Sequence, residues 1–299
     1  MYIVRVPATS ANMGPGFDAL GMAVTLYNEL TAVRADAVSV EIEGQGAASL
    51  PRDEHNLVYQ SYVFAMERFG HVPVPLFIKQ TNHIPSARGL GSSSTAIVAG
   101  ILLACAVSGT AVDRAACLDM AATLEGHPDN VAPAIYGGFT CSVMEGNKAL
   151  CCRLEMPASL LPLAFIPDFE LKTSQARAAL PDSVPRRDAV FNLSRAAIIT
   201  AAVAKGEGEL LLRALEDKLH QPYRAPLVPG FEAFTALGKA NGCGIYLSGA
   251  GPTVMALCPR EKREALLNAF LSSELTAHWQ ALPLSFDNCG AQVETIDEP

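Results

Sequence analysis

Apolar and polar residues alternate over residues 2–6 and 22–34, and this period of two predicts strands. Residues 38–42 and 74–79 carry the same signal. Residues 56–69 place apolar side chains at helical spacing and stop at Gly70. Residues 96–107 form an unbroken apolar run closed by Ser108-Gly109. The run is shorter than the ~20 residues that cross a bilayer, so it reads as a buried helix. A further helix is expected over 113–125, with strands over 139–144 and 161–166. Beyond them the pattern predicts helices over 189–204, 207–218, 230–240 and 260–271, and strands over 244–247 and 253–257. Strands and helices mix without strict βαβ alternation, which indicates an α+β architecture. The pattern breaks between Met144 and Ala158, at Glu145-Gly146-Asn147 and Pro157, and divides the chain into units of 1–154 and 155–299.

Composition narrows the function classes. Of the 299 residues, 50% are hydrophobic and 17% charged, with a net charge of −8. Soluble proteins average about 25% charged residues, so intrinsic disorder is excluded. An acidic chain is a poor binder of nucleic acid, whose affinity comes from Lys and Arg on phosphates. The N-terminus has no basic stretch leading into an apolar run, and no segment reads as a membrane span; a cytoplasmic protein is expected. The eight cysteines include no Cys-x-x-Cys and sit mostly among apolar neighbours, as small core residues do.

Candidate chemistry lies in the loops. Gly89-Leu90-Gly91-Ser92-Ser93-Ser94-Thr95 follows a strand and opens a helix. Glycines let the backbone approach a ligand, and the helix start offers free N–H groups to an anion, so phosphate is the expected guest. A bare N-cap accounts for one hydroxyl but not for two glycines and three serines. Neither the P-loop pattern nor Gly-x-Gly-x-x-Gly is present. A second loop, residues 7–18, holds Asn12 and Asp18, which an Asx turn alone would explain. Ser248-Gly249-Ala250-Gly251-Pro252 reads as a turn between strands. The stretch Glu125-Gly126-His127-Pro128-Asp129-Asn130 carries more polar functionality than a helix stop requires.

In combination, Pro7-Ala8-Thr9-Ser10-Ala11-Asn12, Pro85-x-x-x-Gly89-Leu90-Gly91-Ser92-Ser93 and Ser248-Gly249-Ala250-Gly251-Pro252 resemble the three motifs of the GHMP kinases, in the family's order. Residues 9–18 and 125–134 are similar to the homoserine kinase branch in particular. The resemblance implies a ribosomal-protein-S5-like N-terminal domain with a left-handed βαβ crossover, and a ferredoxin-like C-terminal domain. It implies transfer of the ATP γ-phosphoryl group to the hydroxyl of L-homoserine, with Mg²⁺, in a homodimer that binds no nucleic acid or membrane. Another small-alcohol acceptor and a non-catalytic nucleotide-binding regulator are the competing readings.

The resemblance also distributes roles. The loop Pro85, Ser86, Ala87, Arg88, Gly89, Leu90, Gly91, Ser92 and Ser93 would wrap the ATP phosphates, with Asn56 beside the adenine. Ser93 and Glu125 would hold Mg²⁺, although the spacing in some relatives points to Asp119. Asp18 would meet the ammonium of the amino acid, and Arg177 and Arg224 its carboxylate, with contacts from His127 and Thr173. Asn12 and Asn130 would orient the hydroxyl, and an amide at position 130 cannot serve as a general base.

Overall fold

The computed structural model describes residues 1–296. Its first layer is a seven-stranded sheet built from β1 (Tyr2–Ala11), β2 (Leu20–Arg34), β3 (Ser39–Gly44), β4 (Leu76–Asn82), β5 (Phe139–Glu145), β6 (Lys148–Leu154) and the last strand, β11 (Gln292–Thr295). The central order is β11-β1-β2-β4-β3, with β5 pairing the start of β2 and β6 pairing β5. β3 and β4 run parallel, joined across α1 (Leu57–Arg68); the other pairs are antiparallel. α2 (Ser92–Ser108), α3 (Arg114–Glu125) and α4 (Val131–Tyr136) pack with α1 to form the first apolar core, around Tyr62, Ile78, Ile101 and Leu118.

The second layer holds β7 (Leu160–Pro167), β8 (Gly244–Leu247), β9 (Val254–Pro259) and β10 (Trp279–Pro283) in the antiparallel order β10-β7-β9-β8. Helices α5 (Thr173–Ala178), α6 (Arg186–Lys205), α7 (Gly208–Arg213), α8 (Gln221–Arg224) and α9 (Phe231–Ala240) fall between β7 and β8, and α10 (Arg263–Leu271) between β9 and β10. This sheet order, with α9 and α10 as its two crossings, is the ferredoxin-like arrangement. The two layers share one apolar core: Met13, Leu20, Met22 and Leu90 from the first pack with Leu160, Leu215, Tyr246 and Met255 from the second.

Several elements differ from their sequence pattern. β1 continues through Pro7 to Ala11 instead of ending at Val6, and its register against β2 shifts between Pro7 and Ala8. Proline has no N–H to give a ladder, so the strand steps past it with a bulge and resumes. The helix expected over 207–218 stops at Arg213. The Asp217 carboxylate accepts the N–H groups of Leu219, His220 and Gln221, and so offers this segment a turn in place of helical bonds. β6, β10, β11, α4 and α5 carry little sequence signal. The expected unit 155–299 contains the second sheet, but β11 returns to pair with β1 in the first; residues 297–299 lie outside the described residues. No helix among the described residues is long and apolar enough to cross a membrane.

Three loops meet where the layers touch. Ser248 Oγ lies 2.6 Å from the Gly89 carbonyl and 2.8 Å from Ser10 Oγ, which lies 2.9 Å from Tyr246 Oη. A carbonyl only accepts, so the Ser248 hydroxyl donates to Gly89, Ser10 donates to Ser248, and Tyr246 donates to Ser10. All three hydroxyl residues are fully buried. Backbone bonds from Thr9 to Leu90, Gly249 to Ala11 and Thr253 to Arg88 close the junction. Replacing Ser248 with Ala strands the Gly89 carbonyl, and the expected loss is about 1–3 kcal/mol in urea unfolding relative to the parent chain.

Candidate active site

Residues 84–91 lead from β4 into α2. Gly89 and Gly91 have φ of 78° and 70°, the left-handed region. A Cβ on Gly89 would overlap the Ser248 carbonyl oxygen, and one on Gly91 would overlap Thr9 Oγ1. Both positions therefore require glycine for conformation and for space. Asn12, Met13, Asp18 and Ala87 are non-glycine residues in the same region, and all four lie on these cleft loops. Such conformations cost of order 1–3 kcal/mol each, so the surrounding fold holds them in place. Past Gly91, the first amides of α2 have no intrahelical acceptor and face the cleft with the positive end of the helix dipole.

Two cavities flank this loop. One, of about 270 Å³, is lined mainly by apolar surface from Leu50, Pro51, Leu57, Val58, Ala96 and Ala99, with Asn28, Asn56 and Gln80 at its polar edge. The other, of about 130 Å³, is lined by Asn12, Asp18, Glu125, His127, Asp129, Asn130, Thr173, Arg177 and Arg224 together with Gly89, Gly91, Gly249 and Ala250. Ala87, Ser92 and Ser93 line both, so the loop is a shared wall between an apolar pocket and a charged one.

The structure thus gathers most of the expected site residues, with three adjustments. Leu90 is fully buried in the shared core, and Pro85 faces a separate cavity on the far side of the loop; neither side chain lines the two pockets. Leu90 contributes shape to the loop, because an apolar side chain gains more in the core than against phosphate. Arg88 borders the charged pocket, but its guanidinium is directed to partners outside it. Its guanidinium donates to the carbonyls of Ser86, Pro167 and Asp168 and pairs with Glu170 at 3.3 Å, tying the loop to the second layer. Asn56 is at the pocket edge, but its carbonyl caps α1 through Val58 N–H and its amide donates to Pro51.

The charged pocket carries both signs. Asp18 and Arg177, expected at opposite ends of a ligand, pair with each other at 3.0 and 3.2 Å. Each half-exposed group takes the nearest opposite charge, and a bidentate fork is the favoured geometry. His127 Nδ1 lies 2.5 Å from Asp129 Oδ1. Burial works against the charged imidazole, but the hydrogen bond to Asp129 and the charges of Asp129, Asp18 and Glu125 outweigh it and raise the His127 pKa. Potential ligand atoms of Asp18, His127 and Asp129 all lie within 4.8 Å of one another.

Glu125 accepts the hydroxyls of Ser94 at 2.9 Å and Ser93 at 3.4 Å. Burial raises its pKa, and the serine bonds and the charge of His127 only partly offset this. Asp119 lies elsewhere: its carboxylate accepts Ala149 N–H at 2.7 Å, and it lines neither pocket. Asn12 is held on both sides, donating to the Gly249 carbonyl at 2.6 Å and accepting Asp18 N–H at 3.0 Å. Asn130 Oδ1 accepts from Thr9 Oγ1 at 2.8 Å.

Sequence reasoning missed Thr9, Ser94 and Asp129 as site residues. Each sits beside a residue that was singled out, but their roles depend on partners from 2 to 121 residues away.

Comparison with known proteins adds a family pattern to this geometry. Residues 56–138 match the GHMP kinases N terminal domain and residues 199–276 match GHMP kinases C terminal. The homoserine kinase of Moorella thermoacetica is 47% identical over 259 residues, covering 86% of this chain and 88% of that one. That of Streptomyces coelicolor is 46% identical over 297 residues, covering 97% and 93%. The crystal structure of homoserine kinase from Cytophaga hutchinsonii superposes with a TM-score of 0.87 at 29% identity, covering 98% of this chain and 96% of that one.

The raised His127 pKa has a testable sign. The stabilisation from this pair is full below the unfolded-state imidazole pKa and is lost as pH rises through the folded one. The stability difference between the parent chain and Asp129→Asn, measured by urea unfolding, is therefore expected to shrink as pH rises through that value. The His127 resonance in Asp129→Asn should titrate at lower pH than in the parent.

Proposed function

The chain belongs to the homoserine kinase family of the GHMP kinases, and we propose that its cleft transfers the γ-phosphoryl group of ATP to the side-chain hydroxyl of L-homoserine, giving O-phospho-L-homoserine for threonine synthesis. One observation carries this reading: Ala87, Ser92 and Ser93 form a common wall between an apolar cavity and a small cavity lined by both charge signs. The apolar cavity suits a purine. The phosphates then follow the wall, held by amides at the start of α2 and by the backbone of residues 86–91. The γ-phosphoryl group emerges beside Asn12 and Asn130.

The charged cavity suits a zwitterion. Asp18, with Asp129 and His127 beside it, faces the ammonium; Arg177 and Arg224 face the carboxylate, and Thr173 closes the floor. Asp18 and Arg177 pair with each other, and a zwitterion offers a partner to both halves of that pair. A neutral sugar or an acid without an ammonium would leave one half unanswered, which favours an amino-acid acceptor over other small alcohols.

The Glu125 carboxylate and the Ser93 and Ser94 hydroxyls form an all-oxygen donor set, which fits Mg²⁺. A bound cation would also relieve the burial cost that raises the Glu125 pKa. When bound there, Mg²⁺ supplies positive charge to the phosphate oxygens. Asn130, fixed by Thr9, and Asn12, fixed by Gly249 and Asp18, orient the acceptor hydroxyl without removing its proton. Positioning and charge stabilisation carry most of the barrier in a loose phosphoryl-transfer transition state. Eight free thiols suit the reducing cytoplasm. The exposed Val190, Leu193 and Ile198 of α6 offer an apolar face for a homodimer.

Purified protein with Mg-ATP is expected to consume ATP with L-homoserine and far more slowly with mevalonate or galactose; no turnover with L-homoserine overturns the reading. Glu125→Gln should lower kcat by about 10²-fold or more while Asp119→Asn stays within about threefold, since electrostatic groups on phosphoryl oxygens carry losses of this order. Asn130→Ala should lose well under the ~10⁴-fold typical of a general-base knockout.

A further inference from the structure

His220 lies in the turn between α7 and α8, and it is fully buried. Its Nε2 is 2.7 Å from the Gly14 carbonyl, and its Nδ1 is 3.3 Å from Nη1 of Arg224. These two partners fix the proton. A carbonyl only accepts, so Nε2 carries hydrogen; a guanidinium only donates, so Nδ1 presents its lone pair. The His220 ring stacks on Phe17 with centroids 5.3 Å apart, and the Arg224 guanidinium lies 5.2 Å from the Phe17 ring.

Arg224 has five N–H donors. Nε–H goes to the Ala176 carbonyl at 3.3 Å, and Nη1 divides its two between the Gly249 carbonyl at 3.1 Å and His220. Among the described residues nothing takes the two hydrogens of Nη2, and Arg224 lines the charged pocket. His220 is the one side chain among the three acceptors, and the one that can titrate.

We propose that His220 is a positioning residue for acceptor binding: as a neutral imidazole with its proton on Nε2, it fixes the Arg224 guanidinium so that Nη2 faces the acceptor carboxylate. The inference rests on the assignment of Arg224 to that carboxylate. The charges around the ring are Asp217 on its own turn, 3.7 Å from Nε2, Arg224 on α8, and Asp18 on the loop after β1. Burial dominates and, with Arg224, lowers the His220 pKa against the pull of Asp217, Gly14 and Asp18. Asp217 is already occupied by Asn192 and three backbone N–H groups, so its work is to shape the turn. A proton on Nδ1 would point N–H at a guanidinium and remove its acceptor. Acceptor affinity is therefore expected to fall on the acid side, with nucleotide affinity unaffected.

Two variants and one spectrum test this. His220→Asn keeps an acceptor oxygen near the Nδ1 position; His220→Gln places its amide near Nε2 and lacks that acceptor. His220→Gln is expected to raise KM for L-homoserine about tenfold, as befits a lost hydrogen bond to a charged group, with KM for ATP within about twofold. His220→Asn should recover most of the loss and flatten the acid rise in KM. Nitrogen-15 NMR of the full, substrate-free parent chain should show His220 protonated at Nε2 and bare at Nδ1. A proton on Nδ1, an unchanged KM for L-homoserine in His220→Gln, or equal rises for both substrates overturns the proposal. If His220→Gln does not fold, the spectrum decides. Absence of L-homoserine turnover by the parent chain would instead count against the acceptor assignment itself.

Discussion

The site depends on one close approach: the backbone at Gly89 lies against the carbonyls of Ser248 and Gly251 with no room for a methyl group between them. Three loops separated by most of the chain meet there, and the hydroxyl chain from Tyr246 through Ser10 and Ser248 holds them at hydrogen-bond distance. Because Gly89 is pinned from behind, the amides that follow it point into the cleft. Because the contact joins the two sheets, it also sets the distance between the apolar and the charged pocket. The anion site proposed on this loop therefore depends on backbone geometry, which in turn depends on a buried polar network in which every member has a partner.

This explains how a charge-poor, acidic protein can handle a nucleotide. The formal charges that matter are few and local, and two of the acids have partners within the cleft: Asp18 pairs with Arg177, and Asp129 with His127. The apolar residues that make the composition unusual fill a core shared by both layers. The two layers are thus packed as one body around the cleft.

Much of this was legible in the sequence where the physics is local. Alternation located β2 and β4, the long apolar run located α2, and the glycine–serine string marked the loop that joins β4 to α2. Residues 7–11 were not legible as strand because Pro7, Ala8, Thr9, Ser10 and Ala11 show no apolar alternation; pairing with β2 decides their conformation. The segment 207–218 has helical leucine spacing, yet Asp217 diverts its end by capping three backbone amides. The Asp18–Arg177 pair spans 159 residues and the Thr9–Asn130 bond 121, distances over which no spacing rule applies. The family resemblance supplied candidate residues; which of their atoms are free and which are engaged came only from the fold.

The return of β11 to the first sheet has a consequence for how the protein is made. β1 leaves the ribosome long before β11, and one of its two edges receives its partner only when residues 292–295 emerge. Until then that edge exposes unpaired backbone groups, the kind of surface that recruits other strands. The nascent chain must therefore be kept from pairing with its neighbours until β11 has emerged to complete the sheet.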